Sequence, residues 1–434
     1  MQWSKYNVKF QSKQGGFLLY NSGAGSLIHI DEITGAMVDQ IATNPDIDFS
    51  RHPELFFNLR LGGFLVDNGA DDNLVRVMKM RRLAASYSDR QLLLTIAPTR
   101  DCNFACEYCY EQNRTYSEMP KAVEDSIVAF IKKHKAIEKI YITWYGGEPL
   151  MAFEKILRLN EKISSIGIDC ESHIVTNGYF LSSEIICALD VLKATSMQIT
   201  IDGVKKTHDT RRCLKNGGAT YDVIMRNIDT LLSSSWGGRL NIRVNVDNQN
   251  KDEFMAVHKH INQTYRNEHK NHLYVYPGFV NNPECAEQSK YLTSKDKSSF
   301  LLDIAQNAGV NPLSLFPHMT LGGCTMTKKN AYVIGPDGEL YKCWRDLGNK
   351  DFIVGNVDGT AGNTSLIAEG MIDSSYVHCA TCENCKMFPV CDGGCSKIRM
   401  LNNRGNHAGD FCSYFKHNLH DLLDIHYRQK LSMC

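Results

Sequence analysis

Three cysteines fall in the stretch Cys102-Asn103-Phe104-Ala105-Cys106-Glu107-Tyr108-Cys109, spaced C-x3-C-x2-C, directly after the apolar run Leu92-Leu93-Leu94-Thr95-Ile96-Ala97-Pro98. That run has the length and composition of a buried strand. A strand that delivers three thiols into one tight loop is poorly suited to a disulfide framework and well suited to holding metal. Three thiolates on one loop can occupy three irons of a cubane [4Fe–4S] cluster and leave the fourth iron without a protein ligand. An iron with a vacancy can chelate a small molecule through an amine and a carboxylate and pass it one electron. The competing reading, a structural zinc knuckle, needs a fourth ligand, and no histidine or further cysteine lies close in sequence.

Cys102, Cys106 and Cys109, with the aromatic Tyr108 just before the last of them, resemble the signature of the radical S-adenosylmethionine (SAM) enzymes. The resemblance implies SAM as the molecule chelated at the open iron.

A chain of 434 residues with 43% hydrophobic content is long enough for two or three domains. Its formal net charge of +0 points to neither a nucleic acid nor an acidic membrane as partner. No apolar stretch approaches the length of a membrane span, and Met1 to Phe10 lacks the apolar core of a signal peptide, so a cytoplasmic protein is expected. Sixteen cysteines in a reducing compartment favour metal sites over disulfides.

Residues 1–90 read as a separate small module. Gly16-Phe17-Leu18-Leu19-Tyr20 and Ser26-Leu27-Ile28-His29-Ile30, joined by Asn21-Ser22-Gly23-Ala24-Gly25, have the pattern of a β-hairpin. Asp31 is placed to cap a helix through Met37-Val38, and a second helix over Pro53 to Leu61 runs into a short strand at 62–67. This order is similar to the winged-helix peptide-recognition modules at the front of many peptide-modifying radical SAM enzymes. Ten Lys+Arg against ten Asp+Glu in this module give no positive field to attract DNA. A lid over a catalytic domain and a clamp for a leader peptide, which would add a strand to an exposed sheet edge, are the remaining readings, and the clamp is preferred.

From 91 to 285 strands and helices alternate, as in a parallel α/β sheet with crossover helices. Strands are expected at 91–97, 139–145, 172–176, 197–202, 241–247 and 272–276, and helices at about 120–136, 151–165, 182–194, 221–234 and 251–265. Six strands suggest a partial (β/α)6 barrel, TIM-like in arrangement, which the resemblance implies as the radical SAM core. Function in such a fold gathers at the carboxyl ends of the strands.

The second strand ends in Gly146-Gly147-Glu148-Pro149, where bare backbone can approach a ligand closely. It resembles the family's GGEP motif, which implies contact of Glu148 with the SAM amino group. By the same resemblance Thr176 and Asn177, after the third strand, and Thr200, in the fourth, line the SAM pocket, with the Thr200 hydroxyl on the carboxylate. A guanidinium fork also suits that carboxylate; Arg212 and Arg226 are both candidates. Tyr108 is placed to stack on the adenine, with an ordinary core tyrosine as the alternative.

Residues 286–323 read as a bridging segment with a helix near 294–308. A second cysteine-rich region follows: Cys324, Gly338-x4-Cys343, Cys382-x2-Cys385-x5-Cys391-x3-Cys395 and Cys412. The hairpin Tyr332 to Cys343 turns on Pro336-Asp337-Gly338. This region, 324–434, resembles the seven-cysteine SPASM extension, with Asp392 where the family's CGGC turn has glycine. The resemblance implies two auxiliary clusters, one held by Cys382, Cys385, Cys391 and Cys412 and the other by Cys324, Cys343 and Cys395. The fourth corner of the latter is open, closed by Cys379, or closed by another side chain. Cys170, Cys187, Cys213, Cys285 and Cys434 are scattered, as buried small hydrophobes usually are, with Cys213 nearest the expected chemistry. Trp144 and Trp344 either shield clusters from solvent or simply pack the core.

Together these features lead to the expectation of a SAM-cleaving, iron–sulfur oxidoreductase. It would install a thioether, ether or carbon–carbon crosslink in a ribosomal precursor peptide with a leader, fed by a reductant such as flavodoxin or ferredoxin. A sulfatase-type maturase forming formylglycine and a non-catalytic electron carrier are the alternatives. No side chain stands out as a catalytic acid or base.

Overall fold

The computed structural model describes the chain except residues 47, 112–114, 270–271, 282–287, 309, 312, 322, 407 and 433–434; Cys285 and Cys434 therefore lie outside the described residues. At the amino end, β1 (Gln2–Trp3) pairs with β5 (Leu65–Val66), and β2 (Asn7–Gln11), β3 (Phe17–Asn21) and β4 (Ser26–Ile30) form an antiparallel sheet in that order. The helices α1 (Glu32–Thr43), α2 (Pro53–Leu61) and α3 (Ala70–Ser86) accompany them. Asp31 caps α1, its carboxylate accepting from Thr34 N at 2.7 Å. β2 and α3 were not anticipated from the sequence: Asn7–Gln11 mixes polar with apolar residues, and α3 carries three arginines along an otherwise weak apolar stripe.

The centre is a sheet of nine strands. Six of them, β6 (Gln91–Ile96), β7 (Lys139–Trp144), β8 (Asp169–Thr176), β9 (Ala194–Ile201), β10 (Arg239–Val246) and β11 (Leu273–Phe279), pair in parallel in chain order. The connections carry α4 (Lys121–Lys133), α5 (Phe153–Ser164), α6 (Ser183–Cys187), α7 (Lys205–Arg211), α8 (Tyr221–Leu232) and α9 (Phe254–His269). One face of these strands carries the core, with Leu92, Ile140, Ile142, Ile174, Met197, Ile199, Leu240 and Ile242 almost wholly buried, while most alternate positions on the other face are half-buried. The helix expected over 182–194 is shorter: α6 ends at Cys187, and the chain then turns down to Lys193, a left-handed residue at φ 50°.

α10 (Ser294–Ala308) follows the sixth strand. Next comes β12 (Ala331–Ile334), which turns through Pro336-Asp337-Gly338 into β13 (Glu339–Tyr341), and this pairs with β14 (Gly355–Asn356). β12 pairs in parallel with β6, Ala331 opposite Leu93 and Ile334 opposite Ile96, so the cysteine-rich segment extends the central sheet at its first strand. The short helices α11 (Thr364–Ala368), α12 (Ala380–Glu383) and α13 (Ser396–Asn403) and the long α14 (Phe415–Leu431) complete the chain.

The amino-terminal sheet packs on the carboxyl-terminal region. Phe10, Leu18 and Tyr20 share a core with Met387, Val390, Phe415, Leu419 and Leu422, and the Asp424 carboxylate accepts from Ser12 Oγ and Lys13 N, both at 3.0 Å. Among the described residues no helix is long and apolar enough to cross a membrane.

Candidate functional site

The loop that leaves β6 crosses the carboxyl end of the sheet and is held from two sides. Glu148 N donates to Asp101 O at 2.8 Å, and the segment 213–215 runs antiparallel to 103–105, with Ala105 N on Cys213 O and Lys215 N on Asn103 O, both at 2.9 Å. A Cβ at Gly147 would stand 2.2 Å from Asp101 O, so only glycine lets the two loops lie this close. Cys102, Cys106 and Cys109 consequently face one cavity of about 470 Å³. Cys213 comes with the covering segment and lies beside Cys106.

Burial pushes the Cys109 thiol up to about 11, and it raises Cys102 and Cys106 as well. Such thiols stay protonated alone and lose the proton outright to a metal. Among the described residues no three His, Cys, Asp or Glu side chains surround a single ion. Three thiols spread around one cavity suit a cluster, in which each thiolate binds a different iron.

Gly146, Gly147, Thr176, Asn177, Thr200, Tyr108 and Arg212 also line this cavity, as the sequence suggested. Glu148 does not. It is wholly buried beneath the wall, its Oε1 accepting from Thr176 Oγ1 (2.7 Å) and Leu150 N (3.0 Å), its Oε2 from Asn177 N (2.7 Å). Burial raises its pKa while those three donors pull it down. Three of its acceptor sites are thus taken by Thr176 Oγ1 and the backbone after β7 and β8, and Glu148 holds the wall residues Thr176 and Asn177 in place; contact with a ligand amine would fall to the acceptor site left on Oε2.

Of the two arginines, Arg212 is at the cavity and Arg226 is not; Arg226 is exposed on α8. Arg212 follows α7, is 8% exposed, and donates from Nη1 to the Tyr108 hydroxyl at 2.7 Å. Its buried Nε has no hydrogen-bond partner among the described residues. Burial works against the charge, but Cys106, Tyr108 and Asp202 hold the guanidinium protonated. A buried cation with one unused donor on a cavity wall is what an anionic ligand group needs.

Arg211, which sequence reasoning passed over, braces this wall from behind. Its guanidinium donates to Asp202 Oδ2 (3.2 Å), Asp247 Oδ2 (2.6 Å), Gln249 Oε1 (3.0 Å) and Glu107 Oε1 (3.2 Å), and lies 5.2 Å from the centre of the Tyr108 ring. Asn245 Nδ2 donates to the Tyr108 hydroxyl at 2.9 Å. Its partners come from the ends of β9 and β10 and from the cysteine loop, which no local spacing announces.

In the second cysteine-rich region, burial raises the Cys343 thiol, with Cys395 and Cys324 close enough to add to the rise. Burial, Asp392, Cys382 and Cys385 together push Cys391 up to about 11. Gly394, in the turn between Cys391 and Cys395, lies against Phe411, the residue before Cys412: a Cβ there would stand 1.7 Å from Phe411 O. Asp392 is accommodated on the surface of the turn, its carboxylate accepting from Gly394 N at 3.0 Å. Cys379 caps the single turn of α12, which puts it beside Cys382 and the Arg399 guanidinium. Cys379 and Cys382 are thus neighbours three residues apart on one helical turn.

An aromatic wall joins the first loop to Cys343. The Tyr110 and Tyr145 hydroxyls are in contact, the Tyr145 ring lies 4.7 Å from Trp344, and the Arg345 guanidinium lies 5.7 Å from the Tyr110 ring. Trp144, by contrast, is a fully buried core residue. The edge of β4, which pairs with no further strand among the described residues, and the helix α2 enclose a groove of about 940 Å³, with the side chain of the 73% exposed Leu61 on its rim.

The sequence model of the Radical SAM superfamily matches residues 96–261. The serine-type anaerobic sulfatase-maturating enzyme of Bacteroides thetaiotaomicron is 24% identical over 73% of this chain and 86% of its own length. The cysteine-type enzyme of Clostridium novyi is 25% identical over 75% of this chain and 94% of its own. In fold, the chain is similar to native anSMEcpe with bound AdoMet and Cp18Cys peptide (TM-score 0.57, 21% identity, 79% of this chain and 99% of that one). It is also similar to Streptococcus suis SuiB bound to precursor peptide SuiA (TM-score 0.50, 16% identity, 95% and 99%). The SAM and [4Fe–4S] chemistry of that superfamily is one to which the three-thiol cavity, and the Arg212 Nε that has no partner among the described residues, are suited.

Proposed function

We propose, on the premise that residues 96–261 form a radical SAM domain, that this chain is a peptide maturase closing an oxidative crosslink in a ribosomal precursor peptide. The observation that carries the peptide assignment is the groove against β4. An unpaired strand edge offers backbone donors and acceptors to an extended peptide, and exposed apolar residues of α2 offer it side-chain contacts. In this reading residues 1–90 hold the leader, 91–285 cleave SAM, 286–323 bridge, and 324–434 hold two auxiliary clusters, with the crosslink a thioether, ether or carbon–carbon bond.

When bound and reduced, the SAM-binding cluster supplies one electron that splits SAM into methionine and a 5′-deoxyadenosyl radical able to take a hydrogen atom from the peptide. The chain's own groups set the geometry. Cys102, Cys106 and Cys109 hold three irons, Arg212 takes the ligand carboxylate through Nε, and Tyr108, Gly146 and Gly147 shape the wall. Cys382, Cys385, Cys391 and Cys412 would hold one auxiliary cluster, and Cys324, Cys343 and Cys395 would hold the other, leaving it able to bind the substrate. Bond closure would release one electron, which those clusters would pass to an external carrier, and one proton, which would go to solvent; a flavodoxin or ferredoxin would supply the first electron.

A second reading, maturation of a sulfatase Cys or Ser to formylglycine, is favoured by the 24–25% identical relatives. Mass spectrometry of a peptide encoded beside the gene, after anaerobic incubation with reconstituted enzyme, SAM and reductant, tests both. A crosslink is expected to remove two hydrogens, suppress fragmentation within a ring and leave no aldehyde. Capture of the product by a hydroxylamine reagent would replace the first reading with the second.

A further inference from the structure

Arg82 lies on α3, outside the SAM cavity and outside both cysteine regions, yet it is 2% exposed. Its Nη2 donates to three carbonyls of one loop, Phe388 O at 2.8 Å, Pro389 O at 3.1 Å and Cys391 O at 3.1 Å, and its Nε to Thr320 O at 3.4 Å. The guanidinium sits between the rings of Phe388 (4.7 Å) and Tyr376 (4.9 Å). Among the described residues, Nη1 is buried without a hydrogen-bond partner. Among the described residues no carboxylate lies within ion-pair distance of it, and Asp392 acts on it only from farther away, so the buried positive charge has no ion-pair partner there. An isolated buried charge is among the costliest features a fold can carry.

The loop that Arg82 grips ends on Cys391, whose thiol is among the groups that act on the guanidinium. A cubane cluster with its four irons in the oxidised resting state, held by four thiolates, is a dianion, and one-electron reduction makes it a trianion. That anion is the missing countercharge. We propose that Arg82 is a positioning residue for the auxiliary cluster held by Cys382, Cys385, Cys391 and Cys412. In this role it fixes the 388–391 loop through three carbonyls and lends the cluster a buried positive charge that favours its reduced form. Hydrogen bonds and fixed charge around thiolate ligands are the protein's means of setting such a potential. α3 also ties itself to α12 by the Lys79–Glu383 ion pair, while Tyr6, Val75 and Met78 pack on Tyr376, Val377 and Phe388. The segment between the peptide groove and the barrel is thus the one that grips this cluster. The inference rests on the ligand set of the preceding section.

The test uses the full chain carrying Cys102→Ala, Cys106→Ala and Cys109→Ala, which keeps only the auxiliary sites. Iron and sulfide per chain and midpoint potentials from EPR-monitored titration are measured for this chain, for Arg82→Gln and for Arg82→Lys. Arg82→Gln is expected to move one of two auxiliary midpoints to a more negative value and leave the other in place, with Arg82→Lys moving it less. Two unmoved midpoints at full iron in Arg82→Gln would overturn the proposal. If Arg82→Gln loses iron, retention of iron by Arg82→Lys supports the charge role, and equal loss in both overturns it in favour of packing alone. No iron in the parent chain would instead overturn the ligand set itself.

Discussion

Replacing Arg212 by methionine keeps the length and apolar body of the side chain and removes its charge and donors. The structure leaves one buried donor, Nε–H, free on the cavity wall. A hydrogen bond from a charged donor to a carboxylate in such a dry site contributes about 1.5–3 kcal/mol. At 1.4 kcal/mol per factor of ten, SAM should bind about 10- to 100-fold more weakly to Arg212→Met. Arg212→Lys keeps a charge but not the planar fork, so it should fall between. Arg226→Ala, on the exposed face of α8, should bind SAM within about twofold of the parent. Equilibrium dialysis of labelled SAM against anaerobically reconstituted protein measures all three, and a melting curve checks that Arg212→Met is folded. Unchanged SAM affinity in folded Arg212→Met, or an equal loss in Arg226→Ala, would refute the assignment of the carboxylate to Arg212.

Gly147→Ala drives a methyl into Asp101 O, 2.2 Å away, so the cysteine loop must shift; about 1–3 kcal/mol of stability should go, along with iron bound at the first cluster, read by iron analysis and melting. Burial, with Arg212 adding to it, drops His208 from 6.5 to about 3, so it stays neutral when folded but takes a proton when unfolded. Its contribution is fully present above 6.5 and is lost as pH falls toward 3, at up to about 1.4 kcal/mol per pH unit. His208→Gln should therefore flatten the stability–pH curve in that window, as measured by denaturant titration at several pH values. Leu61→Glu places a charge on the rim of the β4–α2 groove. It should weaken binding of a leader peptide by roughly tenfold or more, for the burial of a leucine side chain is worth about 1.5–3 kcal/mol, while SAM cleavage without peptide is unchanged. Fluorescence anisotropy of labelled leader and 5′-deoxyadenosine release report the two effects separately.

The cysteine loop, the glycine pair and the alternation of strands and helices were readable because each is a local pattern. Spacing of three thiols, a turn dipeptide or an apolar period is set within one or two elements, and all six parallel strands appear at or within a few residues of their expected places. What a side chain meets is set elsewhere. Glu148 reads as a ligand-binding carboxylate in isolation, and only the folding of β8 beside β7 puts Thr176 and Asn177 on its oxygens. Arg211 looks like any basic residue of a helix until β9 and β10 bring Asp202 and Asp247 to it. Arg226, with equal claim by sequence, ends on the outer face of the next helix.

The longest-range contacts were the least legible. Pairing of β12 with β6, and the grip of Arg82 on a loop 309 residues later, depend on closure of chain segments that share no pattern in sequence. The sequence by itself determined which atoms this protein brings to its chemistry: thiols in sets, bare backbone at a strand end and a choice of arginines. The tertiary structure alone decided which of those atoms face a common cavity. Burial and hydrogen-bond satisfaction are properties of neighbours in space, and a residue's chain neighbours do not specify them.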